Sequence, residues 1–251
     1  MRRLKLTLAY DGTNYAGWQS QLNAPTLQDT LERALAQLTG ESIRVTASGR
    51  TDAGVHALGQ VVSFSTESRH SAHVFQRALN AELPDDFAVL ASEEVEEAFD
   101  ARRSATGKLY RYLLDNGPIG DIFQRRFRWH VVAPLNVPAM REAAIALVGR
   151  HDFSSFEASG SPRSSSVRTV KRCEVSRQPA PRDHEINLEV EADGFLYNMV
   201  RNIVGTLVEV GRGAREVSWP GEVLHAADRR AAGPTAPPQG LFLVRVDYGG
   251  V

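Results

Sequence analysis

The chain of 251 residues contains one cysteine, Cys173, and only three lysines, Lys5, Lys108 and Lys171. One cysteine excludes an intramolecular disulfide framework and any zinc or iron–sulfur site built from several thiolates. No apolar run approaches the roughly 20 residues that a helix needs to cross a bilayer, so no membrane partner is expected. The seven histidines fall in no HExxH or other metal spacing, and no metal is expected. GxxxxGK[ST] and a GxSxG elbow are missing, and GRGARE around Gly211 is not a dinucleotide fingerprint. No cofactor is expected. Net charge is nearly absent too, at −1 from 29 basic and 30 acidic residues, so a polyanionic partner would have to be met by uneven placement of charge.

The placement is uneven. Ala81 to Asp100 carries eight acidic residues and no Lys or Arg. Arg102, Arg103, Lys108, Arg111, Arg125, Arg126 and Arg128 face only Asp115 and Asp121 in their stretch. A second basic stretch runs from Pro162 to Arg182. Arginine dominates the cations and suits forked phosphate contacts and base stacking. A hydrophobic fraction of 42% and a charged fraction of 24% are those of a soluble globular protein. The opening MRRLKLTLAYDG alternates apolar and polar positions, which reads as a strand and not a signal peptide, so a cytoplasmic location is expected.

Alternation predicts strands at Leu4–Leu8, Ser42–Ala47, Gln60–Ser65 and Phe87–Ala91 in the first half. Thr26, followed by Asp29 in capping-box spacing, predicts a helix that stops at Gly40, and Ala72–Leu83 reads as another. The second half repeats the mixture. Strands are expected at Leu109–Leu114, Val170–Val175, Ile186–Val190 and Leu241–Val246, with helices at Val137–Val148, Phe195–Val210 and Trp219–Asp228. FSSFEASGSPRSSS reads as a long mobile loop. The expected fold is α+β: two similar halves, 1–103 and 104–251, with mainly antiparallel sheets meeting at a central cleft and helices on the outer faces.

SGRTDAGVHALGQVVSF places Arg50, Asp52 and His56 in a tight loop between strands, where rigid scaffolds usually present catalytic groups. Asp before Ala53-Gly54 is also a common turn cap. GRTDAGVHA resembles the active-site signature of the tRNA pseudouridine synthase A family. AYDGTNYAGWQSQ, PTLQDTLERAL, FDARRSATGKLYRYLLDN, GRHDFSSF, VRTV, DGFLYNMVRNIVGTLVEVGRG and APPQGLFLVRVDY resemble further segments of that family, in order from Leu8 to Tyr248. Where family members often carry a Cys/Gln-containing stretch, this chain reads SGSPRSSS. The resemblance implies an isomerase that converts uridine to pseudouridine at positions 38, 39 and 40 of the tRNA anticodon arm, working as a homodimer without a cofactor. It implies Asp52 as the catalytic carboxylate, Tyr110 as the tyrosine that meets the target base, and Arg201 as the arginine that pairs with the aspartate. Arg50, Arg102, Arg103 and His56 are the further substrate-binding candidates.

The residues themselves leave alternatives open. On a helix of about 100° per residue, Leu196, Met199, Val200, Ile203, Val204 and Leu207 form one apolar stripe. Arg201 flanks that stripe, while Asn198 and Asn202 fall on the far side. Such an arginine is either a snorkelling side chain or a cation turned toward a carboxylate, which it would keep ionised. Tyr110 and Tyr112 share one face of their strand, and periodicity does not separate a working tyrosine from a packing one. A non-catalytic RNA-binding module and a carboxylate-dependent nucleoside or glycoside hydrolase are the competing functions.

Overall fold

The structure is a computed structural model and describes residues 1–158 and 165–249. In chain order the elements are β1 (Arg2–Tyr10), α1 (Leu27–Thr39), β2 (Thr46–Ala47), β3 (His56–Thr66), α2 (Ala72–Glu82), β4 (Phe87–Val95), β5 (Ala105–Asp115), β6 (Trp129–His130), α3 (Val137–Ile145), β7 (Gly149–Asp152), β8 (Val167–Arg177), β9 (Glu185–Ala192), α4 (Met199–Gly211), α5 (Trp219–Ala226) and β10 (Leu241–Tyr248). Two compact α+β units result: Met1–Thr106 with Phe242–Val251, and Gly107–Leu241.

In the first unit β1 lies between β4 and β3, antiparallel to both. Leu4, Leu6 and Leu8 are fully buried, as the alternation requires. They sit opposite Phe64, Val62 and Gln60, and a register shift follows between Leu8 and Tyr10. The extra residue lies on β3, which runs from Gln60 to Ala57 while β1 runs from Leu8 to Tyr10 and keeps its buried alternation. The helix α1 begins where the sequence places it: Thr26 Oγ1 accepts the Asp29 N–H at 3.2 Å, and Gly40 ends the helix at φ +74°. The strand β3 starts at His56, four residues before the expected Gln60, because β10 runs parallel to it and pairs Phe242 with His56 and Leu243 with Ala57. The expected strand at Ser42–Ala47 shortens to Thr46–Ala47, the two residues with partners on β3.

In the second unit β9 lies between β5 and β8, and β7 pairs with β8, all antiparallel. The short β6 pairs parallel with β5. One face packs Tyr110, Tyr112 and Leu114 beside Val190, Leu188 and Ile186. Alternate residues form a charged ladder, in which Arg111 meets Glu189 at 2.7 Å and Glu189 meets Arg172 at 3.0 Å. Each unit's strand pairing is thus mixed, mainly antiparallel with a parallel pairing beside it.

Three expectations change here. The helix expected from Phe195 starts at Met199, because Asn198 sits in the left-handed region at φ 59° and ends any helix run through it. α4 has no polar far side: Asn202 is as buried as Ile203, and its amide is satisfied inside the protein. The Ser/Gly/Pro-rich stretch includes a 3-10 turn, Ser154–Phe156, with Ser155 and Phe156 buried. Residues 159–164 of that expected loop lie outside the described residues.

Replacing Thr26 with alanine removes the α1 cap and is expected to lower unfolding free energy by about 1 kcal/mol, with Thr26→Ser restoring most of it. Gly205→Ala is expected to cost about 1–3 kcal/mol through overpacking, since a Cβ there would stand 1.7 Å from the Pro234 carbonyl oxygen. Urea midpoints read both. A Gly205→Ala midpoint equal to that of the wild type would mean that the Pro234 backbone yields without cost.

Candidate active site

In the first unit, the loop that carries Asp52 is held by its backbone. The Asp52 carbonyl accepts the Val55 N–H at 3.1 Å, closing a turn in which Gly54 takes φ +74°. Thr51 is buried on both sides. Its carbonyl accepts the Trp18 N–H at 3.0 Å, and its hydroxyl meets the Tyr10 hydroxyl at 2.9 Å. Tyr10 continues the buried alternation of Leu4, Leu6 and Leu8 on β1, which turns its ring to this task. Burial drives the Tyr10 phenol up to about 12, against the lowering effect of its bonds to Thr51 and Gln60, so it stays a protonated strut at neutral pH. Gln60 fixes the near end of the loop: its amide donates to the Gly49 carbonyl at 2.9 Å and accepts from the Ser48 hydroxyl at 2.7 Å.

The brace depends on close approach. Gly17 has φ +96°, and a Cβ there would lie 2.8 Å from the Thr51 carbonyl oxygen. A side chain at this position is excluded both by backbone conformation and by space. Trp18, 2% exposed, anchors this N-terminal loop beside Tyr10. Asp52 itself is half-buried, between the buried Thr51 and the exposed Ala53.

His56 is 1% exposed and stacks on Phe242, with ring centroids 4.7 Å apart. Its Nδ1 accepts the Gly12 N–H at 3.0 Å. An Nδ1 that accepts carries no proton, so the Asp11 carboxylate oxygen 3.1 Å away is a neighbour and not an ion-pair partner in that tautomer. In this arrangement the ring ties the N-terminal loop to the start of β3.

The cationic candidates of this unit are exposed. Arg50 lies within the signature loop, and Arg102 and Arg103 sit on a turn after β4. Asp100 organises that turn by accepting the Arg102 and Arg103 N–H groups at 2.9 and 2.8 Å. Burial alone would raise the Asp100 carboxyl. The two N–H groups, with the guanidinium charges of Arg103 and Arg3, outweigh burial and hold it below the usual carboxylate range.

In the second unit the two tyrosines of β5 separate. Tyr112 is fully buried, donates to the Pro237 carbonyl at 2.7 Å, and meets Trp129 edge-on. Burial raises its phenol far above the ordinary value, with Arg201 opposing. It is the packing member of the pair. Tyr110 is 8% exposed and meets the half-buried Phe195 edge-on, at 4.9 Å between centroids. Arg201 is half-buried and directed. Its Nε donates to the Ala236 carbonyl at 2.7 Å and its Nη1 to the Asn198 side-chain oxygen at 2.8 Å. The left-handed Asn198 thus leaves the helix end uncapped and turns its amide to the arginine.

Asp52, Arg50, Arg102, Arg103 and His56 belong to the first unit, and Tyr110 and Arg201 to the second. Sequence reading did not single out Tyr10, Gly17, Thr51 and Gln60, which hold the Asp52 loop. The signal available was the AYDGTNYAGW segment, which resemblance marked but periodicity left as a polar loop.

The family described as tRNA pseudouridine synthase matches residues 7–102 and 143–249. A protein of Moorella thermoacetica named tRNA pseudouridine synthase A is 51% identical over 247 residues, covering 98% of this chain and 99% of that one. Proteins of the same name from Thermoanaerobacter sp. strain X514 and Myxococcus xanthus are 45% and 47% identical over 248 residues, covering 99% of this chain and 100% and 92% of theirs. With agreement running through both units and through the loop that carries Asp52, the chain belongs to the tRNA pseudouridine synthase A family.

Proposed function

We propose that this protein isomerises uridine to pseudouridine in the anticodon arm of tRNA, at positions 38, 39 and 40, with Asp52 as the catalytic carboxylate. The observation that carries the reading is the backbone-braced loop around Asp52, within a chain that matches the family over nearly its whole length. The reaction breaks N1–C1′ of the nucleotide, turns the uracil while it is still bound, and joins C5 to C1′; the C5 proton leaves and N1 is reprotonated. Every heavy atom of the base is retained, the proton lost at C5 is balanced by the one gained at N1, and nothing is oxidised. Cleavage develops positive charge at C1′, and an ionised carboxylate held without reorganisation is suited to stabilise or trap it.

Tyr110 is assigned to the target base, where an aromatic ring can stack on an extruded uracil and its hydroxyl can assist loss of the C5 proton. Arg201 is assigned as the cation that favours the ionised carboxylate. Arg50, Arg102 and Arg103 are assigned to phosphates, in keeping with their exposure. His56 enters this reading as a positioning residue, in keeping with its burial. A homodimer in the cytoplasm completes the proposal, since two copies of a chain with net charge −1 can still join local basic patches into one RNA surface.

The test uses tRNA tritiated at C5 of uridine. Wild type is expected to release tritium, and Asp52→Asn to lose at least about 10²–10³ in rate while still binding tRNA. Retained activity in Asp52→Asn would remove the carboxylate from the mechanism, and release of free uracil would replace isomerisation with hydrolysis. Gly17→Ala, which leaves Asp52 in place, is expected to lower kcat about 10- to 100-fold by shifting the loop, with tRNA affinity little changed; a kcat equal to wild type would show that the brace is dispensable. Arg102→Ala and Arg103→Ala should instead weaken tRNA binding and reduce the salt dependence of affinity by about one counterion each. An unchanged salt slope would exclude those phosphate contacts.

A further inference from the structure

The carbonyl that receives Arg201 Nε belongs to Ala236, and the contact is reciprocal, because the Ala236 N–H donates to the Arg201 carbonyl at 3.1 Å. Ala236 is the penultimate residue of a strap, residues 228–237, that is bolted along α4 by a polar network. The Asn202 side-chain oxygen accepts from Thr235 Oγ1 at 2.7 Å and from Arg229 Nη2 at 2.9 Å. Its amide nitrogen donates to the Phe156 carbonyl at 2.7 Å. Arg229 also donates to Thr235 Oγ1 at 3.0 Å and to the Gly233 carbonyl at 3.0 Å. One turn along the helix, Thr206 Oγ1 accepts the Gly233 N–H at 3.0 Å, and Gly205 leaves room for the Pro234 carbonyl. Tyr112 holds the Ala236 end of the strap through the neighbouring Pro237 carbonyl.

This is an expensive arrangement for packing alone. Asn202 is fully buried in a helix otherwise lined by Met199, Val200, Ile203, Val204 and Leu207, and a buried amide is tolerated only when its donors and acceptor are all met. A leucine would fill such a position without that requirement. What the network provides is a fixed height and orientation of the Ala236 carbonyl relative to α4. That carbonyl and Asn198 together restrict two of the three guanidinium nitrogens of Arg201.

We infer that Asn202, Thr235 and Arg229 are positioning residues that orient the Arg201 guanidinium through the Ala236 carbonyl. The inference rests on the role proposed for Arg201, but the orientation itself is measurable without activity. A network that only stabilised the fold would act on activity independently of Arg201. A network that acts through Arg201 loses its effect once Arg201 is gone.

The experiment is a double-mutant cycle on single-turnover tritium release, with Thr235→Val and Arg201→Ala singly and together. Thr235→Val keeps the shape and removes the hydroxyl. It is expected to lower the rate at saturating tRNA about 10- to 100-fold, with little change in KM, and to have no further effect in the Arg201→Ala background. Thr235→Ser is expected to restore the rate. Multiplicative losses, or a Thr235→Val defect confined to KM, would overturn the inference. Should Thr235→Val fail to fold, Arg229→Gln takes its place in the same cycle. A structural arm separates this inference from the assigned reaction: the 15N-labelled Arg201 Nε–H resonance should move or broaden in the Thr235→Val protein. An unchanged resonance overturns the inference even if the wild type isomerises uridine. A changed one supports it even if tritium is not released.

Discussion

Everything proposed for Asp52 depends on two backbones lying against each other without side chains between them. The loop after β1 presses onto the loop before β3 at Gly12 and Gly17, where a Cβ would fall 2.1 Å from the Val55 carbonyl oxygen and 2.8 Å from that of Thr51. Main-chain contact of this kind transmits little freedom. The hydrogen bond from Trp18 to Thr51 is then closed from behind by Tyr10 and Gln60, both buried, and from in front by the Asp52–Val55 turn. A carboxylate on such a loop meets developing charge without first reorganising, which is where electrostatic catalysis gains most.

The second unit reaches the same end by different means. There the functional candidates sit on regular elements, Tyr110 on a central strand and Arg201 on a buried helix, so position along the fold is already fixed. What is left to set is side-chain direction. For Tyr110, Phe195 supplies an edge-on contact. For Arg201, a carbonyl and an amide oxygen do so, each held by a backbone feature: the strap for Ala236, the left-handed residue for Asn198. Arg201 is thereby neither a snorkelling surface side chain nor a simple extension of the apolar stripe.

Much of this was legible in the residues. Thr26, Asp29 and Gly40 mark both ends of α1 because caps are local chemistry, and the alternation of Leu4, Leu6 and Leu8 gives β1 its buried face. What stayed hidden depends on distant partners. His56 begins a strand because Phe242, nearly two hundred residues later, pairs with it in parallel, and Tyr10 pairs with the adjoining Ala57. Asn202 looks like a solvent-facing residue on a helical wheel, and is buried because the strap near Thr235 covers that side. Tyr110 and Tyr112 are equivalent by period and separate by distant contacts: the Pro237 carbonyl takes the Tyr112 hydroxyl, and Phe195 meets the Tyr110 ring edge-on. The brace on Asp52 escaped for a related reason: glycines in a polar loop read as flexibility, whereas here they permit contact.

The proposed function comes down to one chemical statement, that Asp52 enables the joining of C5 to C1′. Fluorine in place of the C5 hydrogen isolates that step, because the new carbon–carbon bond can form but the final proton loss cannot. The most direct measurement is therefore incubation of the protein with tRNA carrying 5-fluorouridine in the anticodon arm, followed by nuclease digestion and mass spectrometry. Wild type should convert the fluorinated nucleoside to a C5-glycosidic product that retains fluorine, and Asp52→Asn should return it unchanged. Recovery of unaltered 5-fluorouridine from wild type, or equal conversion by Asp52→Asn, would contradict the role given to the loop.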